Sequence, residues 1–339
     1  MKDTKLCNKY GETVGVKYDA VATANPRVSL QICTKDRHTE VAMLLESLRH
    51  QTFTSWDLVL CDGSKFPNGH PNAGQPNLFA NTKFGHDMII RLKMEGHGVQ
   101  VIIDDGSGVV EARNMCITKD VFENNLLIRL DDDSIVDEQY LERIYNIITK
   151  GLVKEKKGYR LPNKGEEPDV KPEKIGGVSG VVPTFGAADF KRNVDCVGEV
   201  MSKIEFDDNG NITVLGDDAG YLYNEARLLP THHLRSSFIF RRDAAIKVGM
   251  FPIGLGPTGF REESKFSVKL LMAGYKLFVD TGAICWHNMC PSGGCRAPDY
   301  AQKVQMGDIQ FRRWFKHMIS IKKLNRDMFD CSKWVIKNG

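Results

Sequence analysis

No stretch of the 339 residues approaches the roughly 20 consecutive apolar side chains of a membrane-spanning helix. Charge of one sign is not in excess either. The 46 Lys and Arg stand against 43 Asp and Glu, and the resulting +3 is too small to announce a nucleic-acid or membrane partner. The nine cysteines show no disulfide-like framework. Cys290 and Cys295, in CPSGGC, are too far apart for a CxxC redox pair, and no second pair completes a zinc site, so they read as structural or incidental thiols. The polar opening MKDTKLCNKYGETVGVKYD lacks the apolar core of a secretory signal. A cytoplasmic protein with reduced thiols is expected. There is no internal repeat. The 42% hydrophobic and 26% charged fractions leave a soluble globular chain of one large or two modest domains.

What is present is one unusual run. Asp131, Asp132 and Asp133 directly follow the apolar Leu126-Leu127-Ile128-Arg129-Leu130. So apolar a run reads as a buried strand, which puts the carboxylates at its C-terminal end, where open α/β sheets bind ligands. Adjacent carboxylates repel one another unless a cation lies between them, and hard oxygen donors suit Mg2+ or Mn2+. The same residues read equally as an acidic turn before a helix, with Ser134 as cap and Asp137-Glu138 favouring the helix dipole.

Along the chain, residues 1–26 read as an N-terminal arm or an added strand. A strand at 28–33, a helix at 39–50 with Val41, Leu44, Leu45 and Leu48 on one face, and a strand at 56–61 form a βαβ unit. That implies a parallel sheet with right-handed crossovers. Residues 65–82, rich in Pro, Asn and Gly, form a long loop. Further helices are expected at 85–95, 109–124, 139–149, 243–248 and 264–273, and further strands at 99–103, 126–130, 176–183, 236–240 and 275–279, followed by 283–287. Residues 150–174, dense in Lys, Glu, Gly and Pro, are expected to be exposed and flexible. Residues 184–230 look irregular, with a hairpin around Asp207–Asn211.

In this order the segments resemble the family 2 glycosyltransferases, which have the GT-A fold, from about Val28 to His287. VSLQICTKDRHTEVAMLLESLRHQTFTSWDLVLCDGS is similar to the family opening, and EARNMCITK to its Ala-Arg-Asn segment. LIRLDDDSIVDEQYLERI is similar to the Asp-x-Asp strand and the helix behind it. GFREESKFSVKLLMAGYKLFVDTGAICWHN is similar to the Glu-Asp segment, the Ala-Gly-Tyr helix end and the terminal His. Any one of these is unspecific; four in the right order and context are not. Cys33 stands where many members have Pro, Asp36 where many have Asn, and Glu262-Glu263 in place of Glu-Asp. The insert between Ser64 and Val99 is long, and residues 184–235 match nothing in the family, which leaves the acceptor open.

The resemblance implies an α/β fold with a Rossmann-like, mixed but mainly parallel sheet flanked by helices. It divides the chain into an arm (1–26), a catalytic domain (27–290, with nucleotide-binding half 27–150 and acceptor-binding half 175–290) and a basic helical extension (291–339). It implies inverting, metal-dependent transfer of a sugar from a nucleotide-diphosphate sugar, UDP-sugar by default, to an acceptor hydroxyl. The leaving diphosphate gains charge, which Mn2+ or Mg2+ stabilises as a Lewis acid. Asp133 is expected to ligate that metal, and Asp131 to meet the metal or the ribose. Asp132 belongs to the same nucleotide-facing turn, although strand alternation points it the other way. His287 is expected to complete the metal site or touch the diphosphate, or else to pack beside Trp286.

Thr34, Asp36 and Arg37 after the first strand, and Asp62 ending the second, are expected to line the nucleotide pocket, turn and cap chemistry being the alternative. Arg113 is expected at the base or diphosphate, or else on a helix surface. The acceptor hydroxyl must lose a proton as it attacks. Glu263 is the expected general base, with Glu262 holding the acceptor or taking that role itself; both also suit a helix N-terminus. No separate nucleophile is evident, so inversion is the default. His232 and His233 read as surface histidines. Asp105-Gly106-Ser107-Gly108 supplies Gly-x-Gly, but Glu111 replaces the third glycine of a dinucleotide fingerprint, so the segment reads as a turn.

The last forty residues carry a net charge of about +6. Arg312, Arg313, Lys316, Lys322 and Lys323 interleave there with Phe311, Trp314, Phe315 and Met318 at helical spacing. They read as a helix docked on the body with a solvated basic face, or as a contact to nucleic acid or anionic lipid. The acceptor itself stays open among a glycan, a lipid-linked sugar, a protein and a modified nucleic-acid base. The rival enzyme class, a sugar-nucleotidyltransferase, calls for a Gly-rich loop after the first strand, where this chain has Thr34-Lys35-Asp36-Arg37.

Overall fold

Apolar, β-branched runs bounded by turn residues build the centre of the molecule, a 12-stranded mixed sheet. The structure, a computed structural model, describes residues 14–15, 27–184, 199–255, 258–296 and 299–334. Beyond a two-residue edge strand, β1 (Val14–Gly15), one half consists of four parallel strands: β2 (Val28–Thr34), β3 (Trp56–Asp62), β4 (Val99–Ile103) and β5 (Leu126–Asp131). Helices α1 (His38–Arg49), α2 (Lys83–Met94) and α3 (Val109–Thr118) make the crossovers. Val41, Leu44, Leu45 and Leu48 of α1 are buried, as their spacing requires. The spatial order is β4-β3-β2-β5. The chain steps outward from β2 to β4, then returns to the other side of β2. That reversal opens a crevice at the C-terminal ends of β2 and β5, the position where such sheets bind ligands.

The other half begins with a short strand, β6 (Ser134–Val136), and α4 (Tyr140–Lys150). There follow β7 (Val153–Glu155), β8 (Gly158–Arg160), β9 (Ile175–Val181), the hairpin of β10 (Ile204–Phe206) and β11 (Ile212–Leu215), β12 (Leu228–Pro230) and β13 (Phe238–Arg241). The chain continues through α5 (Arg242–Lys247), α6 (Glu262–Met272), β14 (Lys276–His287) and α7 (Tyr300–Ser320). β13 pairs antiparallel with both β5 and β9, and β14 runs parallel to β9.

Four expectations need correction. Residues 150–174 are not a flexible tract: β7 and β8 extend the sheet, and Leu152, Tyr159 and Val170 are buried while the Lys and Glu side chains face solvent. α3 stops at Thr118 rather than running to 124, because the Asp120 carboxylate accepts the Phe122 N–H (2.9 Å) and turns the chain. The two expected strands 275–279 and 283–287 are one strand, β14, with a register shift between Asp280 and Ile284. His232 and His233 are buried, not at the surface. Their rings find backbone partners: His232 Nε2 lies 2.9 Å from the Phe329 carbonyl, and His233 Nε2 lies 2.9 Å from that of Gly216. Of the N-terminal arm only β1 lies within the described residues, paired antiparallel to β4.

α7 docks on the body. Phe311 and Phe315 are buried, and Phe315 meets Phe206 of β10 edge-on at 5.1 Å. Among the described residues no helix is long and apolar enough to cross a membrane.

Candidate active site

The switch between β2 and β5 opens into a cleft of about 870 Å³. Three segments wall it: the β2–α1 turn, the carboxylates after β5, and the N-terminus of α6 with the loop after β14. Thr34, Asp36, Arg37, Arg113, Asp131, Asp132, Asp133, Glu262, Glu263 and His287 all line it. The sequence-expected residues are thus gathered in one place, Asp62 excepted.

On the nucleotide side, Asp132 accepts hydrogen bonds from the Thr34 hydroxyl (2.8 Å) and Arg37 Nη1 (2.8 Å). Arg37 is itself buried and also donates to the carbonyls of Ser292 (2.8 Å) and Cys290 (3.3 Å). It therefore ties the β2–α1 turn to the loop after β14. Gly293 makes this approach possible: a Cβ there would stand 2.7 Å from Arg37 Cγ and 2.9 Å from two carbonyls, and its φ is +70°. Burial drives the Asp132 carboxyl up to about 6 despite its bond to Arg37.

Asp133 and His287 meet because β6 pairs antiparallel with the end of β14, setting His287 opposite Ser134. His287 Nε2 lies 3.1 Å from Asp133 Oδ1, and the Cys290 N–H donates to Oδ2 (2.9 Å). Burial alone raises the Asp133 carboxyl, but His287, Arg37 and the Cys290 N–H outweigh it and hold it at about 2. The donor set is a hard carboxylate and an imidazole at a cleft wall, which fits a divalent cation such as Mn2+. Asp131 does not join them: no Asp131, Asp133, His287 trio converges within 4.8 Å among the described residues. The reason is electrostatic. Asp131 Oδ1 is drawn to Arg113 (2.9 Å) and Arg129 (3.2 Å) instead.

Those arginines organise the opposite wall. Arg129 and Asp131 share one face of β5, two residues apart. Arg129 is almost wholly buried, its guanidinium 5.7 Å from the Phe238 ring centre and 5.8 Å from that of Phe251. It reaches Glu263 at 2.9 Å and Glu262 at 3.2 Å. Arg113 pairs with Glu262 as well. Both glutamates sit in the first turn of α6, entered through Arg261 in the left-handed region (φ +71°). Glu262 is buried and its Oε2 has no hydrogen-bond partner, whereas Glu263 is about one-fifth exposed to the cleft. Burial raises the Glu263 carboxyl, but Arg129 and Arg113 overcome it and hold it at about 2.

Asp62 stands apart. It is fully buried beneath the turn, accepting backbone N–H groups from Ser64 (2.9 Å) and Phe79 (2.7 Å), so its carboxylate organises the 65–82 loop. Asp36 lines the cleft while its N–H donates to Ser64 Oγ (2.8 Å) and its carboxylate accepts from the Lys65 N–H (3.1 Å). Sequence reasoning passed over Arg129, although a lone arginine two residues before Asp131 signals a shared face. It also missed Arg235, Arg261, Tyr300 and Lys303 on the far side of the cleft. Nothing local in the sequence brings these together; α7 supplies Tyr300 and Lys303 and fixes Arg261 through Asp308.

Sheet order, switch point and acidic cleft together are those of the GT-A fold. No family model matches the chain, and no curated protein matches it in sequence. Solved structures do. The crystal structure of GalNAc-T7 with UDP, GalNAc and Mn2+ is 14% identical, with a TM-score of 0.53 over 87% of this chain and 54% of that one. S. aureus TarS 1-349 in complex with UDP-GlcNAc is 12% identical, with a TM-score of 0.50 over 88% and 72%. S. aureus TarS is 14% identical, with a TM-score of 0.47 over 91% of this chain but 44% of that one. The chain thus spans about half the length of the TarS and GalNAc-T7 chains. At such identities the likeness is one of fold.

Proposed function

We propose that the chain is a metal-assisted glycosyltransferase. It moves a sugar from a nucleotide-diphosphate donor, a UDP-sugar by preference, to an acceptor hydroxyl with inversion at the anomeric carbon. One observation carries this reading: the Asp133–His287 pair and the Glu262–Glu263 pair face a single cleft at the sheet's switch point. The UDP and UDP-GlcNAc of the GalNAc-T7 and TarS structures support the donor class, and the Mn2+ of the former supports a divalent cation.

Asp133 and His287 are the residues that would hold Mn2+ or Mg2+. Such a cation, when bound, neutralises the charge that develops on the leaving diphosphate. Thr34, Asp36 and Arg37 flank the nucleotide, and Asp131 and Arg113 stand between nucleotide and sugar. Glu263 takes the acceptor proton. Held low by Arg129, it is ionised throughout the physiological range but only weakly basic. It therefore suits a concerted step, in which the hydroxyl proton leaves as the new bond forms. Glu262, pinned between Arg113 and Arg129, positions that assembly rather than acting as base. With Asp131 and Glu262 engaged by Arg113 and Arg129, and Asp133 by His287, Glu263 acts alone as base in one displacement, hence inversion.

Transfer or donor hydrolysis assayed with Glu263→Gln tests the roles. The expected outcome is a kcat lowered on the order of 10²- to 10⁴-fold with donor affinity kept. Full activity in this variant would remove Glu263 from the base role.

A further inference from the structure

Behind the cleft wall lies a group of thiols that the proposed transfer chemistry does not use. Cys33 and Cys61 are direct partners in register on the parallel strands β2 and β3, so their side chains leave the same face of the sheet. α3 packs on that face and brings Cys116 from its last turns. The three sulfur atoms all lie within 4.8 Å of one another, and Cys33 Sγ is 3.7 Å from Cys116 Sγ. Cys61 and Cys116 are buried among Val59, Ile102 and Ala112, while Cys33 lines the cleft. Among the described residues no other three metal-ligating side chains converge so closely.

We propose that Cys33, Cys61 and Cys116 form a three-thiolate site for one thiophilic cation of the Zn2+, Cd2+ or Cu+ class, loaded through the cleft. The spacing favours an ion over a disulfide. A zinc ion about 2.3 Å from each sulfur in a tetrahedral shell sets the sulfurs about 3.8 Å apart, and the Cys33–Cys116 separation already matches this. A disulfide needs about 2.05 Å, so that pair would have to close by about 1.7 Å inside a packed cluster.

The charges are compatible too. Three thiolates around a divalent cation leave one net negative charge, and the Arg113 and Arg129 guanidiniums lie close enough to favour it. An incoming cation displaces the thiol protons as it binds. Three protein ligands leave a fourth position to water or a small donor. The ion would staple the ends of β2 and β3 to α3, the helix that carries Arg113.

The test uses the full, reduced chain titrated with Cd2+, read by thiolate-to-cadmium charge-transfer absorption and by native mass spectrometry. One Cd2+ per chain is expected, displacing any Zn2+ and displaced in turn by the softer Cu+, with a raised Tm. The absorption should vanish in Cys33→Ser and Cys116→Ser and persist in Cys290→Ser, Cys295→Ser and His287→Ala. Should Cys116→Ser fail to fold, Cys33→Ser, with its half-buried side chain, carries the comparison. The proposal is overturned if the band is absent, or if it survives in Cys33→Ser. A peroxide-formed Cys33–Cys116 cross-link without cation uptake would equally overturn it. The carboxylate–imidazole pair gives no thiolate band, so this outcome is separable from any failure of the glycosyltransferase reading.

Discussion

Arg129 is the residue on which the acidic wall of the cleft turns. Its guanidinium, buried against Phe238 and Phe251, has two nitrogens without hydrogen-bond partners and a third that serves Asp131, Glu262 and Glu263. Such a charge is tolerable only while its carboxylates stay in place. Glu262→Ala leaves Arg113 and Arg129 to share Asp131 and Glu263, and the loss of charge-assisted bonds to a buried carboxylate is expected to destabilise the fold by about 1.5–3 kcal/mol. Urea unfolding checks this; a loss under about 1 kcal/mol would mean that the pair is solvated. The place of the carboxylates at the C-terminal end of β5 was legible in the sequence because so apolar a run reads as a buried strand. The burial of Asp62 was not, because one of its partners, the Phe79 N–H, arrives from a long loop whose path no local pattern encodes.

Among the elements, α7 sets the loop that precedes the glutamates. Asp308 of α7 accepts from Arg261 Nε (2.8 Å), and Gly307 sits so close that an added Cβ would meet the Phe260 carbonyl at 2.8 Å and that of Leu255 at 3.2 Å. Gly307→Ala gains about 1 kcal/mol of helix propensity but forces backbone apart, a strain of about 1–3 kcal/mol. A lower Tm and a reduced kcat are expected, since Phe260 leads directly into Glu262 and Glu263. A higher Tm with unchanged kcat would show that the loop yields freely.

Two buried histidines make the fold pH-dependent, and His232 among them holds the C-terminal segment through the Phe329 carbonyl. Burial lowers the pKa of both His232 and His233 to about 4, against 6.5 when unfolded. A base depressed on folding contributes stability that is complete above 6.5 and lost as pH falls to 4. The loss is on the order of 3 kcal/mol for each ring. Urea unfolding across that window should show the decline, and His232→Gln should flatten it; no difference between wild type and variant would refute the assignment. Helices with a strong apolar stripe, such as α1, were legible within a residue or two. The 150–174 tract was misread because its few buried positions, Leu152, Tyr159 and Val170, are diluted by solvent-facing Lys and Glu.

For the whole molecule, the cleft follows from where the chain reverses across the sheet. The order β4-β3-β2-β5 puts the β2–α1 turn beside the carboxylates after β5, and the β6–β14 pairing brings His287 to Asp133 from 154 residues further along the chain. The parallel half was legible because each βαβ unit is local. The antiparallel half was legible mainly through its resemblance to a known family, since its pairings are long-range. A thermal-shift titration of nucleotide sugars, with and without Mn2+, on wild type and Asp133→Asn probes the cleft most directly. A UDP-sugar should raise the Tm of wild type several degrees only when Mn2+ is present, and neither addition should move Asp133→Asn. Equal stabilisation of both proteins, or stabilisation indifferent to the cation, would contradict the site built here around Asp133 and His287.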